Sequence, residues 1–123
     1  MNLLRVWGGG TYEDDYFYQL ADENGILIWQ DFMFACTSYP HDPVFMKRVG
    51  ADYNIKRLRN HACLAMWCGN NEVLEAIKYW GWQKQFSEAV YRDMWKGYDE
   101  LFKVLLPAKV KELDPDRFYV HSS

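Results

Sequence analysis

Short apolar runs alternate along the chain with stretches whose apolar residues recur every three or four positions, the pattern of strands interleaved with amphipathic helices. Residues 3–7 read as a first strand closed by Gly8-Gly9-Gly10. Thr11 stands where it would cap a helix whose core face carries Tyr12, Tyr16, Phe17 and Leu20, and Asn24-Gly25 supply its stop. A second strand over 26–29 runs into Gln30-Asp31. Asp42-Pro43 opens a helix with one stripe of Val44, Ala51, Ile55 and Leu58 and another of Phe45, Val49 and Tyr53. Residues 64–68 are continuously apolar, as in a strand buried on both faces, and Gly69 punctuates them. A helix over 73–79 breaks at Gly81, between Trp80 and Trp82. Ser87 caps a longer helix striped by Val90, Met94, Tyr98, Leu101 and Leu105. Pro107 begins or kinks a last turn that Asp114-Pro115-Asp116 ends, and 118–121 read as a fourth strand. The expectation is an α/β fold of about four parallel strands with intervening helices. With no helix to cover the final strand, it reads as part of a larger architecture.

Composition narrows the field. A chain of 123 residues, half hydrophobic and one quarter charged, has the size of a single globular unit. A net charge of -3 and scattered Lys and Arg offer no basic field for a phosphate backbone, so nucleic acid is not an expected partner. No run approaches the roughly eighteen apolar residues of a membrane span, and the amino terminus lacks a signal-peptide pattern. Cys36, Cys63 and Cys68 read as thiols rather than a disulfide framework. His41, His61 and His121 lie in separate segments without metal-ligand spacing, as surface or site-rim residues. The aromatic share of 18%, including six Trp and nine Tyr, exceeds what a small core needs, and aromatic faces are platforms for flat or apolar ligands such as sugar rings.

Candidate chemistry gathers where the apolar runs end. Asn70, Asn71 and Glu72 follow one strand and Gln30-Asp31 another, and carboxyl ends of parallel strands are where α/β sheets and (β/α)8 barrels act on ligands. Glu72 is the first candidate and Asp31 the second. The competing account makes Asn70, Asn71 and Glu72 caps and dipole partners of the next helix, and Asp31 a solvated or capping loop acid. The glycine triplet lacks the Lys-Ser/Thr of a phosphate loop. The connection over 32–41 is long and aromatic, as functional loops often are.

Four segments in order, Arg5-Val6-Trp7-Gly8-Gly9-Gly10, Trp29-Gln30-Asp31-Phe32-Met33-Phe34-Ala35-Cys36, Arg57-Leu58-Arg59-Asn60-His61 and Trp67-Cys68-Gly69-Asn70-Asn71-Glu72, together resemble the β-mannosidases of glycoside hydrolase family 2. The related β-galactosidases and β-glucuronidases share the Asn-Glu ending but carry a Thr-Ser-His type sequence after the first arginine. The resemblance implies that residues 1–123 are part of a catalytic (β/α)8 barrel, a partial TIM barrel whose strands are the second to fifth. It implies Glu72 as acid/base of a retaining enzyme acting on a terminal β-linked mannoside, with Asn71 toward the 2-hydroxyl. Trp7 and Trp80 would wall the sugar subsite, Asp31 would accept a sugar hydroxyl, and Arg5 would tether groups at the strand end. Trp29, Trp67 and Trp82 are expected to pack into the helix layer.

That chemistry needs no cofactor and no metal. Its second carboxylate belongs to the seventh strand, so the chain alone is expected to be inactive, from a parent that is periplasmic, secreted or lysosomal. Two alternatives stand beside this reading: a β-galactosidase- or β-glucuronidase-like hydrolase of the same family, and a non-catalytic module that self-associates through its open sheet edges.

Overall fold

The computed structural model describes residues 1–49 and 51–123. Four parallel strands, β1 (Leu3–Val6), β2 (Leu27–Asp31), β3 (Leu64–Cys68) and β4 (Phe118–Val120), lie side by side in chain order. Helix α1 (Asp15–Asn24) joins the first pair, α2 (Pro43–Arg48) and α3 (Ala51–Leu58) the second. The last connection runs through α4 (Val73–Tyr79), α5 (Trp82–Gln85), α6 (Glu88–Tyr98), a π-helical segment (Asp99–Leu105) and α7 (Leu106–Leu113). This is the expected partial (β/α)8 arrangement. The second strand, however, starts at Leu27 and carries Gln30 and Asp31 within it rather than beyond its end.

Alternation along the strands separates the two faces of the sheet. Leu4, Val6, Ile28, Gln30, Trp67 and Tyr119 lie in register on the face the helices cover, where Ile28, Gln30 and Trp67 are fully buried. The core there is completed by Tyr18, Ile55, Leu58, Leu101, Phe102 and Leu106. Buried Gln30 is satisfied, accepting from the Tyr18 hydroxyl at 2.5 Å and donating to the Asp31 carbonyl at 2.8 Å. The opposite face carries Arg5, Trp29, Asp31, Met66 and Cys68, and its Leu3, Leu27 and Phe118 are exposed.

Several local expectations are corrected. Asp14, not Thr11, caps α1, its side chain accepting from the Phe17 amide, and the helix buries Tyr18 and Ala21 while Tyr16 and Leu20 face solvent. Asp42 caps α2 as its sequence suggested, with Pro43 in the first turn. The helix expected to follow is two pieces, and residue 50 lies outside the described residues. Ala51, Ile55 and Leu58 are buried, but Val44 and Tyr53 are exposed, as is Val90 on α6. Trp67 joins the core, whereas Trp29 turns to the other face and Trp82 stays half-buried.

Pro107 does more than open α7. Ahead of it the winding is wide, and the Leu106 amide bonds five residues back to the Leu101 carbonyl. In that pattern the Phe102 carbonyl would pair with the nitrogen of residue 107, which as proline has no hydrogen. The Tyr119 hydroxyl from β4 takes the orphaned oxygen at 2.6 Å.

Candidate functional site

At the carboxyl end of the sheet the chain crosses from strand to loop at Trp7, Phe32, Gly69 and His121. Gly8 and Gly69 let these crossings pack closely. A Cβ on Gly8 would sit 2.7 Å from the Phe32 and Phe34 carbonyl oxygens, and one on Gly69 2.6 Å from the His121 carbonyl. Gly9 lies under the Trp7 indole, where a Cβ would come within 2.1 Å of the ring. Gly8 and Gly9 therefore serve the packing of the chain on itself.

Asp31 is fully buried, and four donors surround its carboxylate. Arg5 Nε reaches Oδ1 at 3.2 Å and Trp29 Nε1 the same oxygen at 2.9 Å, while Arg5 Nη2 and the Gly8 amide reach Oδ2 at 2.7 and 2.9 Å. That fork-on-fork pairing fixes the guanidinium, which stacks 5.0 Å above the Trp29 ring. Arg5 Nη2 also donates to Asn71 Oδ1 at 3.0 Å and to Ser123 Oγ at 2.7 Å. Three of the expected residues, Arg5, Asp31 and Asn71, thus form one network. Trp29 and Ser123 join it unforeseen. Trp29 was legible in principle, since residues two apart on a strand share a face.

Glu72 stands next to this network. The capping account holds for Asn70, whose Oδ1 accepts from the Val73 amide at 3.0 Å and whose Nδ2 donates to the His121 carbonyl at 2.7 Å. It does not hold for Glu72, which has no side-chain cap bond. Glu72 has φ 55, a conformation that costs a residue with a Cβ about 1 kcal/mol or more and that clusters at functional sites. This twist brings its exposed carboxylate to the side of the Asn71 amide: both reach the Cys36 sulfur, Asn71 Nδ2 at 3.4 Å and Glu72 Oε2 at 3.7 Å. Cys36, at the same φ of 55, is held by an isolated bridge between Ala35 and Asn71. Cys36 closes one of the four segments that carry the resemblance, but no site role was expected of it.

Trp7 and Trp80 are each about half exposed, and among the described residues neither shares a hydrogen bond with Asp31, Asn71 or Glu72. Trp80 packs edge-on against Trp82. His121 accepts or donates at Nδ1 to the Tyr98 hydroxyl, 2.6 Å away, and burial pushes its pKa down. At the opposite end of β3, His61 comes together with Asp22 and Cys63, whose ligand atoms lie within 4.8 Å of one another. The Asp22 oxygens are already engaged, by His61 Nδ1 at 2.6 Å and the Cys63 amide at 2.7 Å. Burial raises the Asp22 carboxyl, but these hydrogen bonds outweigh it and hold the pKa below the usual range. Burial pushes the Cys63 thiol up to about 12, so the trio forms a hydrogen-bonded staple rather than a set of ready ligands. No helix among the described residues is long and apolar enough to cross a membrane.

No protein-family model matches the chain. It is 55% identical over 125 aligned residues to a β-mannosidase of Capra hircus and 44% identical to that of Bos taurus, in each case across its whole length. It is 39% identical to β-mannosidase B of Aspergillus clavatus over 95% of its length. Among solved structures, the β-D-mannosidase of Dictyoglomus thermophilum superposes with a TM-score of 0.81 at 46% identity over 98% of the chain. A β-glucuronidase of Bacteroides uniformis, at 22% identity and a TM-score of 0.71, shares the fold. The chain spans 14% of the length of the curated relatives it matches.

Proposed function

From the premise that the chain is homologous over nearly its whole length to a stretch of the β-mannosidases of glycoside hydrolase family 2, we propose that it is part of a retaining β-mannosidase barrel with Glu72 as acid/base. The observation that carries this reading is the pairing at the end of β3. Glu72 is exposed, makes no ion pair among the described residues, and is turned by its φ of 55 to the side of an Asn71 that Arg5 holds. A general acid must come within hydrogen-bond reach of the leaving oxygen, and an exposed carboxylate at a fixed rim leaves room for a substrate to meet it. Asn71, with Oδ1 committed to Arg5, presents its Nδ2 as the group that meets a sugar hydroxyl. Trp7 and Trp80 supply exposed ring faces suited to a pyranose. Asp31 has no free direction left for a sugar hydroxyl, so its part, with Arg5, is to orient Asn71.

Retention requires a second carboxylate about 5–5.5 Å from the first, to attack the anomeric carbon while the acid protonates the leaving oxygen. Asp31 does not fill that place, because Arg5, Trp29 and Gly8 take up its oxygens. The 123-residue chain by itself therefore gives no turnover. In a polypeptide that continues it to a second carboxylate, Glu72→Gln slows release of a poor leaving group from a β-mannoside by about 10²–10⁴-fold. The same change leaves kcat/KM for a dinitrophenyl leaving group, which needs no proton, far less altered, while kcat still falls because Glu72 also serves as base toward the water that frees the glycosyl-enzyme. Equal losses of kcat/KM on both substrates, or turnover by the chain alone that Glu72→Gln abolishes, would overturn the assignment. A second reading, self-association of the chain, is favoured by the exposed Leu3, Leu27 and Phe118 on one sheet face, and light scattering from a monomer would remove it.

A further inference from the structure

The loop after β2 returns to the rim of the sheet and is tied there by backbone. The Asn71 amide donates to the Phe34 carbonyl at 2.9 Å, and the Cys36 amide to the Asn71 carbonyl at 3.0 Å. These bonds set the Cys36 Cα against the Asn71-Glu72 peptide, with both Cys36 and Glu72 held in the left-handed region. The thiol then lies between two side chains that successive residues of an extended chain would send to opposite sides. It accepts from Asn71 Nδ2 at 3.4 Å, and its S–H points toward Glu72 Oε2 at 3.7 Å. We propose that Cys36 is a positioning residue for Glu72, its thiol holding the carboxylate beside the Asn71 amide at the mouth of the sheet. This inference rests on the acid/base assignment of Glu72.

A sulfur suits the place. It is small, it accepts and donates weakly, and so it orients the carboxylate without competing for the proton that a general acid must give up. Cys63 and Cys68 are of another kind: both are buried, and burial pushes their thiols up to about 12 and about 11. Cys36 is half-buried and is the thiol that a small reagent can reach.

Iodoacetamide at pH 8 tests the contact in the 123-residue chain. The thiolate sulfur displaces iodide to form the S–C bond, the proton having passed to solvent. The contact to the Glu72 carboxylate at 3.7 Å holds the thiol in place, and Glu72→Gln weakens that hold, so labelling of Cys36 speeds up about threefold, whereas Glu75→Gln, on the exposed side of α4, leaves it unchanged. An unchanged rate in Glu72→Gln overturns the proposal. So does labelling of Cys63 and Cys68 as fast as Cys36, since the packed rim would then not exist in solution. In the longer polypeptide's β-mannoside assay, Cys36→Ala lowers kcat about fivefold with KM held, and Cys36→Ser, which keeps a donor and acceptor, restores it. A loss confined to KM, or no rescue by serine, overturns the positioning role. If no variant hydrolyses the substrate while Glu72→Gln still speeds labelling, the acid/base assignment fails and the thiol–carboxylate contact stands.

Discussion

Asp31→Asn is the smallest change that attacks the site's framework. It preserves shape and removes one charge. The carboxylate accepts from four donors, two at each oxygen, and an amide offers a single oxygen and two hydrogens of its own. Turned one way, its NH₂ confronts Arg5 Nε and Trp29 Nε1; turned the other, Arg5 Nη2 and the Gly8 amide. Either orientation strands two donors, at about 1–3 kcal/mol for each one buried. Arg5 is one-third exposed and water screens its share, which brings the expected loss to about 3 kcal/mol. For a domain of ordinary stability that is a large fraction of the whole. With a urea slope of about 1.5 kcal/mol/M, the unfolding midpoint read by tryptophan fluorescence falls by about 2 M. A cycle with Arg5→Ala should show strong coupling, because the arginine is one of the stranded partners. A midpoint within about 0.3 M of the parent would mean that the network does not hold the rim together.

Gly69→Ala places a Cβ 2.5 Å from the Tyr119 hydroxyl and 2.6 Å from a backbone oxygen, and should cost about 1–3 kcal/mol in the same urea assay; a neutral result would refute the close approach. His41 bridges Asp93 at 2.9 Å and Glu100 at 3.0 Å, and the hydrogen bond to Asp93, against partial burial and with help from Glu100, raises its pKa. Its stabilisation is therefore fully present below the ordinary histidine value of about 6.5 and lost as pH rises through the raised folded value. The midpoint difference between the parent and His41→Asn should be larger at pH 5.5 than at pH 8.5, and equal differences would contradict the ion-pair account. Tyr119→Phe should cost about 1 kcal/mol by leaving the Phe102 carbonyl unpaired. In a Pro107→Ala background, where the restored amide can take that carbonyl, the cost should shrink, and an undiminished cost would refute the explanation.

The strand and helix order was legible because each strand ends in glycine or a polar run, and because Asp42 and Ser87 cap their helices as their residue types dictate. The helix faces were less so. Tyr16 and Leu20 recur at helical spacing, yet α1 begins at Asp15 and buries Tyr18 and Ala21 instead; apolar recurrence identifies a helix without saying which flank meets the sheet. At the site, the strand ends pointed to Asp31, Asn71 and Glu72. The role of Asp31 was not readable, because whether a carboxylate meets a ligand or its own chain depends on donors 23 and 26 residues away. The place of Cys36 was unreadable for the same reason: it depends on a loop returning to Asn71, 35 residues further on.

The proline just beyond the π-helical segment has a consequence for how the chain comes apart. One absent hydrogen leaves an oxygen whose need only a tyrosine from another layer meets, so the helix can satisfy its own backbone only while β4 is docked. Helix and strand are thereby bound to a common fate, and in amide exchange the protection of residues near Leu106 and near Tyr119 should vanish in a single step.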